Sequence, residues 1–466
     1  MQFRFGFLLL AGAVLAALLP SAARAEWPTY RHDLQRTGVA PEPLPQGLKE
    51  TWRFTAKHAP EPAWPGPARR DGWHKSDPLK PRMIFDWAFH ITESGGKLYF
   101  GSSADDKLYC LDAATGEERW SFFAEGPIRL APTLYQGKAY FGADDGYVYC
   151  LNAETGEEIW RHKAAPEDYR LPGNARIMSI YPVRTGVLVD NDIAYFCGGI
   201  FTFEGAYVCA VDANTGKALW KKKLRDSAQG YMLASADKLY VARGRVNPIV
   251  LQRADGAFLY AHDGAGGSFT VLVDDYLFYG PGKTGQIEAA RSDRNDNLVT
   301  FQGNQIVVNQ GRAFMQTDTE MSALDRTRYL KLAEEKNVLS DEHDQLKEKL
   351  KELKKAEAPT DAQKAEIDTL VARMEELSRA MLPYDKQMQE CLQWKVPCKY
   401  PYSLIMAGEQ LFCGGMDGVA AIQAADGATA WEAPVDGRAL ELAISNQSLF
   451  VSTDKGIIHC FSATAK

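Results

Sequence analysis

From about residue 96 onward, apolar and polar residues alternate in short runs, and Asp, Asn and Gly cut the runs at regular intervals. Alternation with period two predicts strands, and the cuts predict tight turns. The arrangement recurs. Residues 96–120 read GKLYFGSSADDKLYCLDAATGEERW, and residues 137–160 read GKAYFGADDGYVYCLNAETGEEIW. Residues 192–220, DIAYFCGGIFTFEGAYVCAVDANTGKALW, keep the pattern but carry an insertion, so the spacing of 40 residues from Trp120 to Trp160 grows to 60 at Trp220. Fainter copies cover 236–260, 275–301, 311–326, 408–431 and 447–461.

Each unit follows one logic. The K-x-Y-F-G run is a strand, and Asp144-Asp145-Gly146 supplies a hairpin turn. Tyr147–Leu151 is the next strand, Asn152–Gly156 turns the chain again, and the closing Trp lies on a last strand. With one strand ahead of K-x-Y-F-G, each unit is a four-stranded antiparallel blade. Repeats of about 40 residues with four strands describe a β-propeller. The last of the eight units lacks its Trp strand, and a matching strand stands near the other end of the chain, in Glu50-Thr51-Trp52-Arg53-Phe54. The expected fold is all-β: an eight-bladed β-propeller of four-stranded antiparallel blades, closed by the N-terminal strand so that no sheet edge stays open.

One stretch breaks this pattern. No Gly occurs between Gly311 and Gly408. Leu332, Leu339, Leu346 and Leu353 recur every seven residues. After a break at Ala356–Pro359, Thr360-Asp361-Ala362-Gln363 reads as a capping box, and Ile367, Leu370, Met374, Leu377 and Met381 form a second stripe. The spacing predicts an antiparallel, coiled-coil-like helical hairpin over 326–390. It interrupts the sixth unit, between propeller segments 26–325 and 391–466. The hairpin either folds back as a cover or projects as an arm that recognises a partner.

The Gly-x-x-Tyr-x-Gly, Asp-x-x-Thr-Gly and Trp pattern resembles the pyrroloquinoline-quinone-like (quinoprotein alcohol dehydrogenase-like) repeat, and Trp27–Gly38 is similar to the leader before the first blade of that family. The resemblance covers about 28–320 and 392–466. It implies a propeller, and in the family's dehydrogenases a quinone, an adjacent-cysteine disulfide, a Ca²⁺ held by carboxylate and amide side chains, and an Asp base. This chain has no Cys-Cys pair and lacks the longer loops that wall in the cofactor. Aligning the repeats puts Ala88, Arg129, Arg184, Gln229, Gly267, Gly303, Pro401 and Arg438 at the starts of the innermost strands. That set holds three Arg and no carboxylate, whereas a Ca²⁺ site needs several oxygen ligands. No catalytic residue, metal site or cofactor is therefore expected; pyrroloquinoline quinone and calcium belong only to the alternative of a divergent quinone-dependent oxidoreductase. The outer-membrane assembly propellers share this fold class. The expected function is an exported, non-catalytic scaffold that binds a protein or polymer of the cell envelope. A polysaccharide-associated binding protein is a further alternative.

Composition narrows the partners. The chain has 466 residues and a formal net charge of −7, which argues against phosphate-mediated nucleic-acid binding. Met1–Ala25 has a basic start, an apolar run and Ala23-Arg24-Ala25 before the expected cleavage point, the pattern of a signal peptide. The remainder is expected to be a periplasmic or otherwise extracytoplasmic monomer without a transmembrane segment. Arg129, Arg184 and Arg438 are candidate binders of an anionic ligand or acidic segment, because Arg forks suit carboxylates; the alternative is that they bridge neighbouring blades through backbone carbonyls. The long irregular stretch 57–90 brings Trp64, Trp73 and His74, which could grip a peptide or sugar or could pack as a lid. Cys391 and Cys398 flank Trp394 and are candidates for a disulfide, with Cys413 as a competing partner.

Overall fold

The computed structural model describes residues 25–66, 79–201, 203–264, 266–355 and 360–463. The signal-peptide expectation falls, apart from Ala25, outside the described residues, and so do Trp73 and His74. The chain is mostly strand. Among the described residues there are six separate four-stranded antiparallel sheets and one sheet of eight strands. Each of the six uses consecutive strands, as in Thr133–Tyr135, Lys138–Gly142, Tyr147–Asn152 and Glu158–Lys163. In the eight-stranded sheet the strand Thr429–Ser445 pairs with Met416–Gln423 through its first half and with Ser448–Thr453 through its second. Its far edge is Lys49–Thr55, antiparallel to Ile457–Ser462.

The fourth strands share one irregularity. A register shift falls just before the closing Trp, between Glu118 and Trp120, Glu158 and Trp160, and Glu50 and Trp52. A bulge of this kind bends the strand and re-aims its side chain. Here it directs the indole at the next unit's Asp-x-x-Thr-Gly turn. The turn glycines Gly116, Gly156, Gly216, Gly256 and Gly427 all have positive φ, and a Cβ on any of them would fall 2.5–2.9 Å from the ring of Trp52, Trp120, Trp160, Trp220 or Trp394. The indole N–H often closes the dock: Trp52 donates to Ala113 O at 3.2 Å, Trp160 to Ala213 O at 3.0 Å and Trp394 to Ala424 O at 3.0 Å. Between the sheets lie continuous apolar clusters built from the inward positions of adjoining units. Cys110, Cys150, Cys209 and Cys460 are buried, free thiols on the third strands and act as small hydrophobes.

The insertion forms α1 (Arg326–Leu353) and α2 (Asp361–Gln389). Asp325 caps α1 by accepting from Arg328 N, and Thr360 with Gln363 makes the capping box of α2. The ion pairs Arg328–Glu390, Lys336–Asp385, Glu342–Arg373 and Lys349–Glu366 run in opposite residue order, so the helices are antiparallel. Only the base of the hairpin rests on a sheet. Leu330 and Leu332 are buried with Phe301, Tyr329 stacks against Phe301 at 5.3 Å, and Asn337 Nδ2 donates to Leu298 O at 2.9 Å. Beyond Asn337 the helices pack on each other, and the 16 residues from Val338 to the end of α1 span about 24 Å at the α-helical rise. No described helix is long and apolar enough to cross a membrane.

A Cys391–Cys398 disulfide is corrected by this geometry. The two residues stand at opposite ends of strand Leu392–Pro397, far beyond bridging distance at the usual strand rise, and both are free thiols. Cys398 lines a cavity with Cys413 instead.

The dock between indole and glycine gives a stability test. Gly156→Ala combines a φ of +75° with a Cβ 2.6 Å from Trp120, whereas Gly137→Ala has a φ of +72° and open space. Urea unfolding should show a loss of about 1 kcal/mol for Gly137→Ala and about 2–4 kcal/mol for Gly156→Ala. Equal losses would mean that the indole contact contributes nothing.

Candidate functional site

The first strands of the units begin on one face, and there the sequence placed its arginines. Arg129 and Arg184 are buried and share a carboxylate. Asp144, on the turn after Lys138–Gly142, accepts from Arg129 Nε at 2.7 Å and from Arg184 Nε and Nη2 at 2.9 Å each. Arg129 Nη1 also donates to Asp86 at 2.7 Å and to Glu61 O at 2.9 Å. Burial opposes the Asp144 charge, but Arg184 and Arg129 outweigh it and hold the carboxyl below its ordinary value. At Asp86 burial wins over Arg129 and raises the carboxyl. Two buried guanidiniums are thus matched by two buried carboxyls, which alignment of the first-strand starts did not include. The signal was present in the Asp144-Asp145 doublet. Asp145 alone makes the turn, accepting from Tyr147 N at 2.9 Å and Tyr149 Oη at 2.6 Å. The turn does not account for Asp144.

Arg438 lies apart from that pair. Its Nε donates to Asp454 at 2.8 Å, and its guanidinium sits 4.9 Å from the Trp87 ring. Trp64 donates from Nε1 to Gln229 Oε1 at 2.9 Å and lies under Arg245 at 5.4 Å. Trp87 Nε1 donates to Trp64 O at 3.2 Å, and Ala63 N donates to Asp86 at 2.7 Å. The described parts of the 57–90 stretch therefore lie as a strap across this face, tied down by the Asp86–Arg129 bond.

Beneath the strap is a cavity of about 50 Å³. Its lining includes Phe269, Gln305, Ser403 and Glu441 from the first strands of successive units, with Tyr30 and Arg31 from the leader. Tyr30 stacks on Tyr231 with centroids 3.5 Å apart, and Tyr231 Oη lies 2.9 Å from His90 Nδ1. Glu441 Oε2 is 3.7 Å from His90 Nδ1, too long for a hydrogen bond. Burial, partly offset by Arg31, pushes the Glu441 carboxyl up to about 8, and burial brings His90 down to about 3. At neutral pH the carboxyl is protonated and the imidazole neutral. Glu441 was not legible as a site residue: it stands in an alternating strand like any other polar position.

The donor set does not fit a quinone with calcium. The chain has no adjacent cysteines, and the described residues contain no group of three or more His, Cys, Asp or Glu that could hold a metal ion. Asp86 and Asp144 are committed to arginines.

A family model described as outer membrane protein assembly factor BamB matches residues 49–179 and, overlapping, 144–327. No curated protein matches the sequence. Among solved structures, BamB from Moraxella catarrhalis is similar with a TM-score of 0.55 and 13% identity, over 90% of this chain and 100% of that one. Quinohemoprotein alcohol dehydrogenase from Comamonas testosteroni gives 0.59 and 13%, over 95% and 81%. A europium-containing methanol dehydrogenase gives 0.59 and 10%, over 94% and 98%. At such identities these likenesses show the fold, a β-propeller of pyrroloquinoline-quinone-like repeats.

Two outcomes test the buried charges. Asp144→Asn leaves two buried guanidiniums without their shared countercharge and should cost about 3–5 kcal/mol in urea unfolding, whereas Asp454→Asn at the part-exposed Arg438 should cost less than about 1 kcal/mol. The second outcome is read against pH. The folded Glu441 holds its proton up to about 8, whereas an unburied carboxyl loses it near 4.5. Glu441 therefore makes stability fall as pH rises between those values. Glu441→Gln should flatten that limb of the stability–pH curve, measured by denaturant midpoint from pH 4 to 9.

Proposed function

The chain belongs to the family described as outer membrane protein assembly factor BamB, and we propose that it is an exported, non-catalytic scaffold that binds a protein partner in the cell envelope. The scaffold is a closed eight-bladed ring. Two features support that shape: the long strand Thr429–Ser445, whose first half completes one four-stranded antiparallel run and whose second half begins another, and Trp52, which rides on the strand paired with Ile457–Ser462 while docking on Gly116 of the first unit. The signal-peptide pattern of Met1–Ala25 and the family description support an extracytoplasmic location.

The observation that carries the binding reading is a set of exposed apolar side chains in the third unit. The added segments are a hairpin, Arg170–Gly173 with Arg176–Ser179, and a loop whose Gly199 N donates to Pro182 O at 3.0 Å. Tyr169 is 58% exposed, Ile177 59% and Phe203 98%. Apolar groups left in water on added loops of a rigid frame mark a contact surface rather than a core. A protein supplies the matching apolar surface, which a hydrated polysaccharide does not.

Capture from an envelope extract tests the reading. Tyr169→Asp, Ile177→Asp and Phe203→Asp together should abolish co-purification of partners while leaving the thermal midpoint within about 2 °C, as expected for exposed positions. An unchanged partner set would remove this surface. Pyrroloquinoline quinone with Ca²⁺, added to the purified protein, should leave no quinone absorbance after gel filtration. Retained absorbance would favour an oxidoreductase.

A further inference from the structure

The eight cysteines are not alike. Seven are buried, and Cys398 alone is part-exposed. It follows the strand Leu392–Pro397, which closes the sixth unit after the helical hairpin. Trp394 and Val396 of that strand face the seventh unit: a Cβ on Gly427 would fall 2.9 Å from the Trp394 ring and 3.0 Å from Val396 Cγ1. Side chains alternate along a strand, so Cys398 is next in the row that faces the seventh unit. Cys413 looks back across the same joint. It lies on the strand Gln410–Gly414 and is buried in one cluster with Phe314 and Met321 of the sixth unit, and Cys398 packs against that cluster.

The two thiols thus reach one place from opposite sides. Both line a cavity of about 230 Å³ between the units, together with Met321, Val396 and Tyr400. Sheets packed face to face stand about 10 Å apart, and a disulfide joins Cα atoms roughly 4.4–6.8 Å apart. One side must therefore approach the other. Segment 398–402 is suited to do so, because it belongs to no strand. Its far end is already on the seventh unit: Tyr402 N donates to Gly414 O at 2.8 Å, next to Cys413, and Tyr400 lies against Gly415. Its near end is held to the sixth unit by Cys398 N donating to Thr319 O at 2.8 Å. The cavity supplies the room for the Cys398 side chain to turn.

We propose that Cys398 and Cys413 form an oxidation-dependent disulfide that staples the sixth unit to the seventh. The Cys398 thiolate, the accessible one, attacks one sulfur of a disulfide oxidant. The oxidant's S–S bond breaks, a mixed disulfide forms and one thiol leaves. Cys413 then attacks the Cys398 sulfur and displaces the second thiol. The two cysteines give up two protons and two electrons, and the oxidant is reduced to two thiols. The staple fixes the strand on which α2 returns to the sheets, and with it the base of the hairpin. The extracytoplasmic reading supplies the oxidant in the cell; the reactivity of the pair belongs to the fold and is tested apart from that reading.

The test uses the purified full chain. Burial holds the Cys398 thiol above its ordinary value, although the Tyr400 backbone and the Gln316 side chain favour the thiolate, so exchange is run at an alkaline pH of about 8.5. The protein is incubated with reduced or oxidised glutathione, freed of it, unfolded, alkylated and mapped by mass spectrometry. Oxidised glutathione should yield one cross-linked pair of peptides, holding Cys398 and Cys413 and lighter by two hydrogens, with the remaining cysteines alkylated. Cys413→Ser should stop at the mixed disulfide of Cys398 with glutathione, and Cys398→Ser should leave Cys413 alkylated. Oxidation should raise the thermal midpoint of the wild type by roughly 3–6 °C and leave that of Cys398→Ser unmoved. A wild-type protein in which Cys398 carries only glutathione, joins a cysteine other than Cys413, or remains alkylated along with Cys413 would overturn the proposal. None of those three outcomes depends on a variant that folds.

Discussion

Among the described residues, five joints between successive units are made by an indole lying on a glycine. The closing strand of one unit opens with a bulge that re-aims its Trp, and the following unit receives the ring on the one turn residue that has no side chain. The constraint acts in two directions. The turn must hold a positive φ, which favours Gly, and it must leave room for a ring, which excludes everything but Gly. Sheets that are separately closed by their own ladders thereby become one body, with apolar clusters running between them. Where the fourth unit has Tyr260 in place of Trp, the phenol reaches the following turn at Ser292 O, 2.6 Å away, and the joint is kept by a hydrogen bond rather than by a large flat contact.

Because the frame is made by the outer strands and turns, the inner face is released from holding the fold. The arginines there are treated in two ways. Arg129 and Arg184 share Asp144, and Arg129 also bonds Asp86 and so fastens the described part of the 57–90 strap. Arg31 donates to backbone carbonyls, and Arg36 to carbonyls and the Thr29 hydroxyl. The first pair is a structural clamp, with its charge already answered. The second lies within the field of the Asp33 carboxylate. Neither group gathers the several oxygen ligands that a Ca²⁺ site requires.

Period and turn chemistry made much of the fold legible. Strand runs, Asp-x-x-Thr-Gly turns, closing Trp residues and the capping box of α2 follow local rules that act within a few residues, and the structure places strands, turns and that cap at those positions. The candidate site was legible only in part. Arg129 and Arg184 could be found because they recur at equivalent positions in two units. Their carboxylates could not, since Asp86 comes from an irregular loop and Asp144 looks like the first residue of a turn. Glu441 and Tyr30 carry no local signature at all. The Cys391–Cys398 pairing failed for a simple reason: closeness in sequence is distance in space when a strand lies between.

What the sequence determined by itself was the unit: which residues extend, where the chain turns, and where a helical insertion begins. Those choices depend on backbone preferences and on alternation between two faces, and both are written locally. Only the tertiary structure decided which charges meet. Residues 31, 90, 231 and 441 come from the leader, the strap and two distant units and line one cavity. Burial then sets their protonation, and burial is a property of the assembled molecule.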